Sequence, residues 1–178
     1  KGPFKSFSYY RINIGIAGNS FNFIHNNILS KQKNDDGFYE ISGLQYAQYI
    51  LSNIDYRYNY FLNKDNSFVS RFFAGFAYPY GNSNAIPFVK QYYAGGAEGI
   101  RAWRPRDLGP GTYAVPDSIR DDYYPNQLSD IKLEMNVEYR YSLNNNWKGA
   151  LFVDVGNIWS ISKSDEREGA LFELDKFY

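Results

Sequence analysis

The sequence has no cysteine, one histidine and one methionine. Without cysteine there can be no disulfide framework and no thiolate metal site. A single histidine argues against a histidine-based metal centre or a catalytic triad. The formal charge is zero, from 19 basic and 19 acidic residues, which argues against a nucleic-acid partner held by phosphate neutralisation. No apolar run approaches the roughly 20 residues a membrane-spanning helix needs. The chain opens Lys1-Gly2-Pro3, and no targeting segment is read from it. These absences lead us to expect no cofactor, no metal and no enzymatic activity.

What the chain has is aromatic character, with 18 tyrosines and 14 phenylalanines, spread over short alternating segments. Residues 8–18 place Tyr10, Ile12, Ile14 and Ile16 on one face and Arg11, Asn13, Gly15 and Ala17 on the other. Residues 45–62 set Tyr46, Ile50, Ile54, Tyr56, Tyr58 and Tyr60 against Asn53, Asp55, Arg57 and Asn59. Residues 67–80 return with Phe68, Phe72, Ala74, Phe76 and Tyr78 opposite Val69, Arg71, Phe73, Gly75 and Ala77. The most regular run is 131–143, where Ile131, Leu133, Met135, Val137, Tyr139, Tyr141 and Leu143 alternate with six polar residues. Residues 147–159 follow, with Trp147 and Trp159 bracketing Leu151, Val153 and Val155 as interfacial aromatics would. Period-two alternation over lengths at or beyond the about 9–11 residues of a membrane strand predicts an antiparallel meander.

The connections are unequal. Asn63–Asn66 and Asn144–Asn146 are tight turns, whereas 19–43, 81–129 and 160–169 are long. Outer-membrane barrels have this asymmetry of short periplasmic turns and long outer loops. Residues 19–43 are expected to be an irregular loop carrying His25 as a surface residue, 87–93 a short strand or turn, and 114–127 a polar, water-facing stretch. The expected fold is all-β, an antiparallel meander forming part of a transmembrane β-barrel. Residues 1–178 would be one partial barrel domain, because five strands cannot close a barrel of about eight or more, and further strands are expected on both sides. A soluble Tyr-rich, carbohydrate-binding β-sandwich is the alternative outside the membrane.

Residues 95–111 are too rich in Gly and Pro for a strand or helix, yet carry Trp103 with Arg101, Arg104 and Arg106. A solvated linker has no use for such a tryptophan, so the loop is expected to fold inward against the wall, with Trp103 as its packing anchor. Arg104 and Arg106 would stiffen the loop or face solvent. Pairing about the Asn144–Asn146 turn puts Glu138 and Asp154 side by side on the polar face. Two adjacent carboxylates repel, and one forked guanidinium between them relieves this, with Arg101 the natural donor. Glu134 and Arg140, on the same face, are expected in solvated pairs.

Gly95-Gly96, Gly99-Ile100-Arg101-Ala102-Trp103 and Leu108-Gly109-Pro110-Gly111 together resemble the sixth outer loop of the BamA/TamA outer-membrane assembly superfamily. The hallmark there is Val-Arg-Gly-Phe or Val-Arg-Gly-Tyr; here Arg101 is kept, while Ile100, Ala102 and Trp103 depart from it. The stretch 152–159, Phe-Val-Asp-Val-Gly-Asn-Ile-Trp, and Val137-Glu138-Tyr139 resemble the strands whose Asp and Glu meet the loop arginine. The run 104–111 resembles the TamA-like lipoprotein, or surface-antigen, members of Bacteroidota. The resemblance implies that the chain is about strands nine to thirteen of sixteen, that Arg101, Glu138 and Asp154 lock the loop, and that Gly99, Ile100, Trp103, Gly109, Pro110 and Gly111 are its motif. It further implies an assembly and insertion factor of a Gram-negative outer membrane. Its partners would be lipid, unfolded β-barrel proteins and, through domains outside this sequence, periplasmic or inner-membrane factors, with no nucleic acid. A passive pore or two-partner secretion channel of the same superfamily is the second reading.

Overall fold

A computed structural model describes residues 5–28, 33–116, 118, 126–144, 146–163 and 165–173. Five long strands, β1 (Phe7–Ala17), β4 (Tyr49–Phe61), β5 (Asn66–Pro79), β6 (Ile131–Ser142) and β7 (Lys148–Trp159), form one sheet in the order β1-β4-β5-β6-β7. Every neighbouring pair is antiparallel, so the sheet is the expected all-β meander, open rather than closed. The strands run 11 to 14 residues, enough to cross a bilayer at a tilt.

Register follows from the turns. Asn63 accepts the backbone N–H groups of Asp65 and Asn66 on its Oδ1, and Asn144 does the same for Asn146 and Trp147. Such a side chain replaces a backbone turn bond, which is why an asparagine opens each tight connection. Those two turns set Arg57 opposite Arg71 and Asn136 opposite Asp154.

Burial in this sheet is the reverse of a soluble sandwich. Ile14 is 71% exposed and Leu151 66%, while Asp55 and Glu134 are fully buried. Apolar side chains project from the outer face, and charge is enclosed on the inner one, where 92–111 packs. A water-soluble fold would have to hide that outer face.

Four expectations are corrected. Residues 19–43 are not an irregular loop throughout: α1 (Asn19–Asn27) lies there, and β2 (Glu40–Ile41) near its end pairs with β3 (Leu44–Gln45) just beyond it. The helix has four asparagines and no acidic residue, so propensity does not announce it. It is held by tertiary contact, Phe21 against Tyr46 and His25 against Tyr39. His25 is accordingly buried, not on the surface, and neither ring nitrogen has a hydrogen-bond partner among the described residues. The 45–62 strand begins only at Tyr49; Tyr46 is buried ahead of it. Trp159 is also buried, its ring set edge-on against Phe172, so of the two bracketing tryptophans only Trp147 is exposed. Residues 88–90 form one 3₁₀ turn within the expected strand-or-turn segment. Most of 117–125, in the stretch expected to face water, lies outside the described residues.

Candidate functional site: a loop held on the inner wall

The loop shapes itself first. Arg106 N–H donates to the Ala94 carbonyl and Gly96 N–H to that of Trp103, so 94–108 doubles back as a narrow hairpin. Gly95 has φ 92°, and a side chain there would strike the Arg104 carbonyl, which leaves glycine as the residue that fits. Ahead of the hairpin, Tyr92 crosses the wall over Gly75, where any Cβ would meet its ring at 2.7 Å, and its hydroxyl donates to the Ser52 carbonyl. The small inward residue of β5 thus makes room for the loop.

Arg101 then reaches β6 and β7. Its Nε and Nη2 each donate to one oxygen of Asp154 at 2.8 Å, its Nη1 donates to Glu138 Oε2 at 2.7 Å, and its backbone N–H donates to Asp154 Oδ2 at 3.2 Å. Glu138 lies opposite Phe152, two positions from the residue opposite Asp154, so the carboxylates are diagonal neighbours. The guanidinium lies 3.5 Å above the centre of the Phe152 ring, which closes its lower face. Asp154 is nearly buried, with 5% of its side chain exposed, and also accepts from Asn136 Nδ2, whose second donor meets the Gly99 carbonyl. Hydrogen bonding to Asp154 raises the Arg101 guanidinium above its already high ordinary value, so it carries its charge at any physiological pH. Arg140 completes the group through Glu138 Oε1.

The remaining motif residues take different places. Ile100 and Gly99 are buried beneath the loop, and a Cβ on Gly99 would lie 2.8 Å from Glu134 Oε2. Gly109 and Pro110 are buried against the end of β7; a Cβ on Gly109 would strike Asn157 at 2.4 Å. Gly111 N–H donates to the Ile158 carbonyl, and Asn157 Nδ2 returns a bond to the Gly111 carbonyl at 2.7 Å. These contacts run along the edge of β7 and tie the far end of the loop to it. Trp103, expected to anchor the loop by burial, is instead 48% exposed: the hairpin is held through its backbone, and the indole stands off the wall. Arg104 pairs with Asp107 in the open, while Arg106, at φ 65°, lies over the rings of Phe88 and Tyr93.

A second ionic group, which the sequence reading did not assemble, lies on β4, β5 and β6. Arg71 donates to both oxygens of Asp55 and, at 2.6 Å, to Glu134 Oε1. Arg57 grips Asp55 from the side at 3.0 Å through two nitrogens, and Lys132 sits 2.9 Å from Glu134 Oε2 as an ion pair. Glu134 is therefore not in a solvated pair, as expected, but enclosed with two cations. The signal was present in parity: Asp55, Arg71 and Glu134 share the face of Asp154, and Asp55 and Glu134 both lie opposite Phe73.

At the loop's far end, Arg167 donates to Gln127 Oε1 at 2.8 Å and to the Leu128 carbonyl at 3.1 Å, and Thr112 N–H to the Gly169 carbonyl, so the two long loops touch. Hydrogen bonding to Arg167 holds the Asp165 carboxyl below the usual carboxylate range. Among the described residues no cluster of histidine, cysteine and carboxylate side chains could hold a metal ion.

A comparison with curated proteins found no match. Residues 25–173, which take in the end of α1, the wall from β4 to β7 and the inward loop, match the Omp85 superfamily domain. Members of this superfamily are in general non-enzymatic assembly and secretion proteins of the Gram-negative outer membrane, and the chain belongs to the Omp85 superfamily.

Proposed function

We propose that this chain is the loop-bearing part of an outer-membrane assembly factor of the TamA-like, surface-antigen kind, which receives unfolded β-barrel proteins and helps them fold into the bilayer. The outer apolar face would meet lipid, and Arg101, Glu138 and Asp154 would form the lock that keeps the loop on the inner wall. The observation carrying this reading is the fit of the guanidinium: three donors to two carboxylates from adjacent strands, over a phenylalanine face. Such a bridge costs the nearly buried Asp154, the half-buried Glu138 and an arginine part of their hydration, which suits a segment that must hold one position against a wall. Nothing in this chemistry needs ATP or a cofactor, because the folding of a barrel in lipid is itself downhill.

The test is reconstitution of the full-length protein in phospholipid vesicles, with an unfolded barrel protein added and its folding followed by its altered electrophoretic mobility. Acceleration of folding that is lost in Arg101→Ala is expected. No acceleration by the wild type would overturn the assembly reading. Open-pore conductance, or passage of a polypeptide without folding, would place the chain with the secretion channels instead.

A further inference from the structure

We propose that Arg71 is a second clasp for the inward loop, a positioning residue that holds the turn at Glu98 and Gly99 so that Arg101, three residues on, arrives at its carboxylates. Arg71 Nη1 donates to the Glu98 carbonyl at 2.9 Å as well as to Glu134 Oε1. The neighbouring Gly99 carbonyl is taken by Asn136, and Arg101 by Asp154 and Glu138. Positions 98, 99 and 101 are thus held in succession by β5, β6 and β7, each from the wall.

Charge compensation alone does not account for Arg71. Asp55 already has the two-nitrogen grip of Arg57, with Arg11 3.7 Å away, and Glu134 has Lys132. What Arg71 adds is a link between the buried carboxylates of two strands and, from the same guanidinium, a donor to the loop backbone. Its planar fork serves three acceptors with fixed directions, which one ammonium on a flexible stem does not reproduce. Phe73 supports the guanidinium: its ring centre lies 5.4 Å from the Arg71 guanidinium carbon, and Tyr92 packs on its edge. The side chain is 18% exposed, so the clasp is largely shielded from water. Because the acceptor is a carbonyl, the clasp does not depend on which side chain stands at position 98. Gly99 completes the arrangement: it passes directly over Glu134, where a Cβ would leave only 2.8 Å.

The clasp rests on the proposed lock for its effect on activity, but not for its effect on the loop. The test uses the full-length protein with a nitroxide on Ala97→Cys as its sole cysteine, an exposed position beside Glu98, and a control label on Lys64→Cys in the tight turn. Arg71→Gln and Arg71→Lys are compared with the parent by electron paramagnetic resonance. The expected result is a larger mobile component at position 97 in both variants, with the label at 64 unchanged and the barrel still heat-modifiable. Arg71→Lys preserves charge, so its loss of order assigns the effect to the fork. An immobile label at 97 in Arg71→Lys overturns the clasp, whether or not Arg71→Gln folds. Folding activity measured on the same variants separates the two proposals. A mobilised loop with undiminished assembly keeps the clasp and counts against the lock's part in function, whereas an immobile loop with impaired assembly overturns the clasp alone.

Discussion

The inner wall carries two ionic groups of the same plan, and they differ in where the arginine is rooted. Each sets one guanidinium between two carboxylates from different strands, with an inward phenylalanine at hand: Phe152 under Arg101, Phe73 beside Arg71. Arg101 belongs to the loop, and so both of its acids are on the wall. Arg71 belongs to the wall, and its two acids would stay together without the loop. The first group exists only when the loop is home. The second exists in either case and offers one spare donor to Glu98. A charge carried by the loop ties the loop to the wall strongly, because undocking would strand a nearly buried carboxylate. A charge carried by the fixed part tunes position at much smaller cost, about one hydrogen bond.

That contrast can be broken most forcefully at Arg101. Arg101→Ala leaves Asp154 with Asn136 and Glu138 with Arg140, and the nearly buried Asp154 dominates an expected loss of about 3–5 kcal/mol in the docked state. Limited proteolysis should then cut within 95–111 while the strands stay protected; unchanged cleavage would remove the contrast. Next comes Gly99→Ala, which pushes a methyl onto Glu134 and costs about 1–3 kcal/mol as overpacking. It is expected to loosen the loop even though it touches neither arginine, as read by the same proteolysis. Phe152→Leu removes the ring face under Arg101 and should cost about 1 kcal/mol, seen as a modest rise in cleavage that is absent from an Arg101→Ala background.

The smallest effect is expected at the far end, where Arg167→Ala removes the bonds to Gln127 and Leu128, worth about 1 kcal/mol, and frees 127–128 more than 98–101. The Asp165–Arg167 contact should depend on pH in a defined direction. Because the folded-state carboxyl is held low, its contribution is complete above the ordinary aspartate value of about 3.9 and is lost as pH falls through the depressed one. The protection of the 127–128 amides, relative to their intrinsic exchange rate at each pH, should therefore be flat through neutral pH and fall only in acid.

Much of the fold was legible because a strand in a one-sided sheet writes its own parity. Tyr10 to Ile16 and Ile131 to Leu143 alternate without a break, and the asparagine turns fix which residue faces which. Adjacency of Glu138 and Asp154 followed by arithmetic from the turn. The helix 19–27 did not follow, since its asparagines oppose a helix and residues distant in sequence, Tyr39, Tyr46, Gln48 and Tyr80, hold it. Trp103 misled for the converse reason: a large indole usually marks burial, but here the hairpin's backbone bonds already hold the loop and the ring is left half open.

The sequence by itself therefore determined what depends on period and on neighbours across a turn: the strands, the two faces, the polar inner wall and the carboxylate pair. Only the tertiary structure decided what depends on the path of a long connection, for the 51-residue stretch between β5 and β6 has no internal period to predict where it doubles back. It brought Glu98 onto Arg71 and Gly111 onto β7, and it seated Arg101, the donor expected from the sequence, between its acids. Those contacts span from 27 to 53 residues of chain, and at such separations pairing is set by packing and desolvation rather than by any local preference.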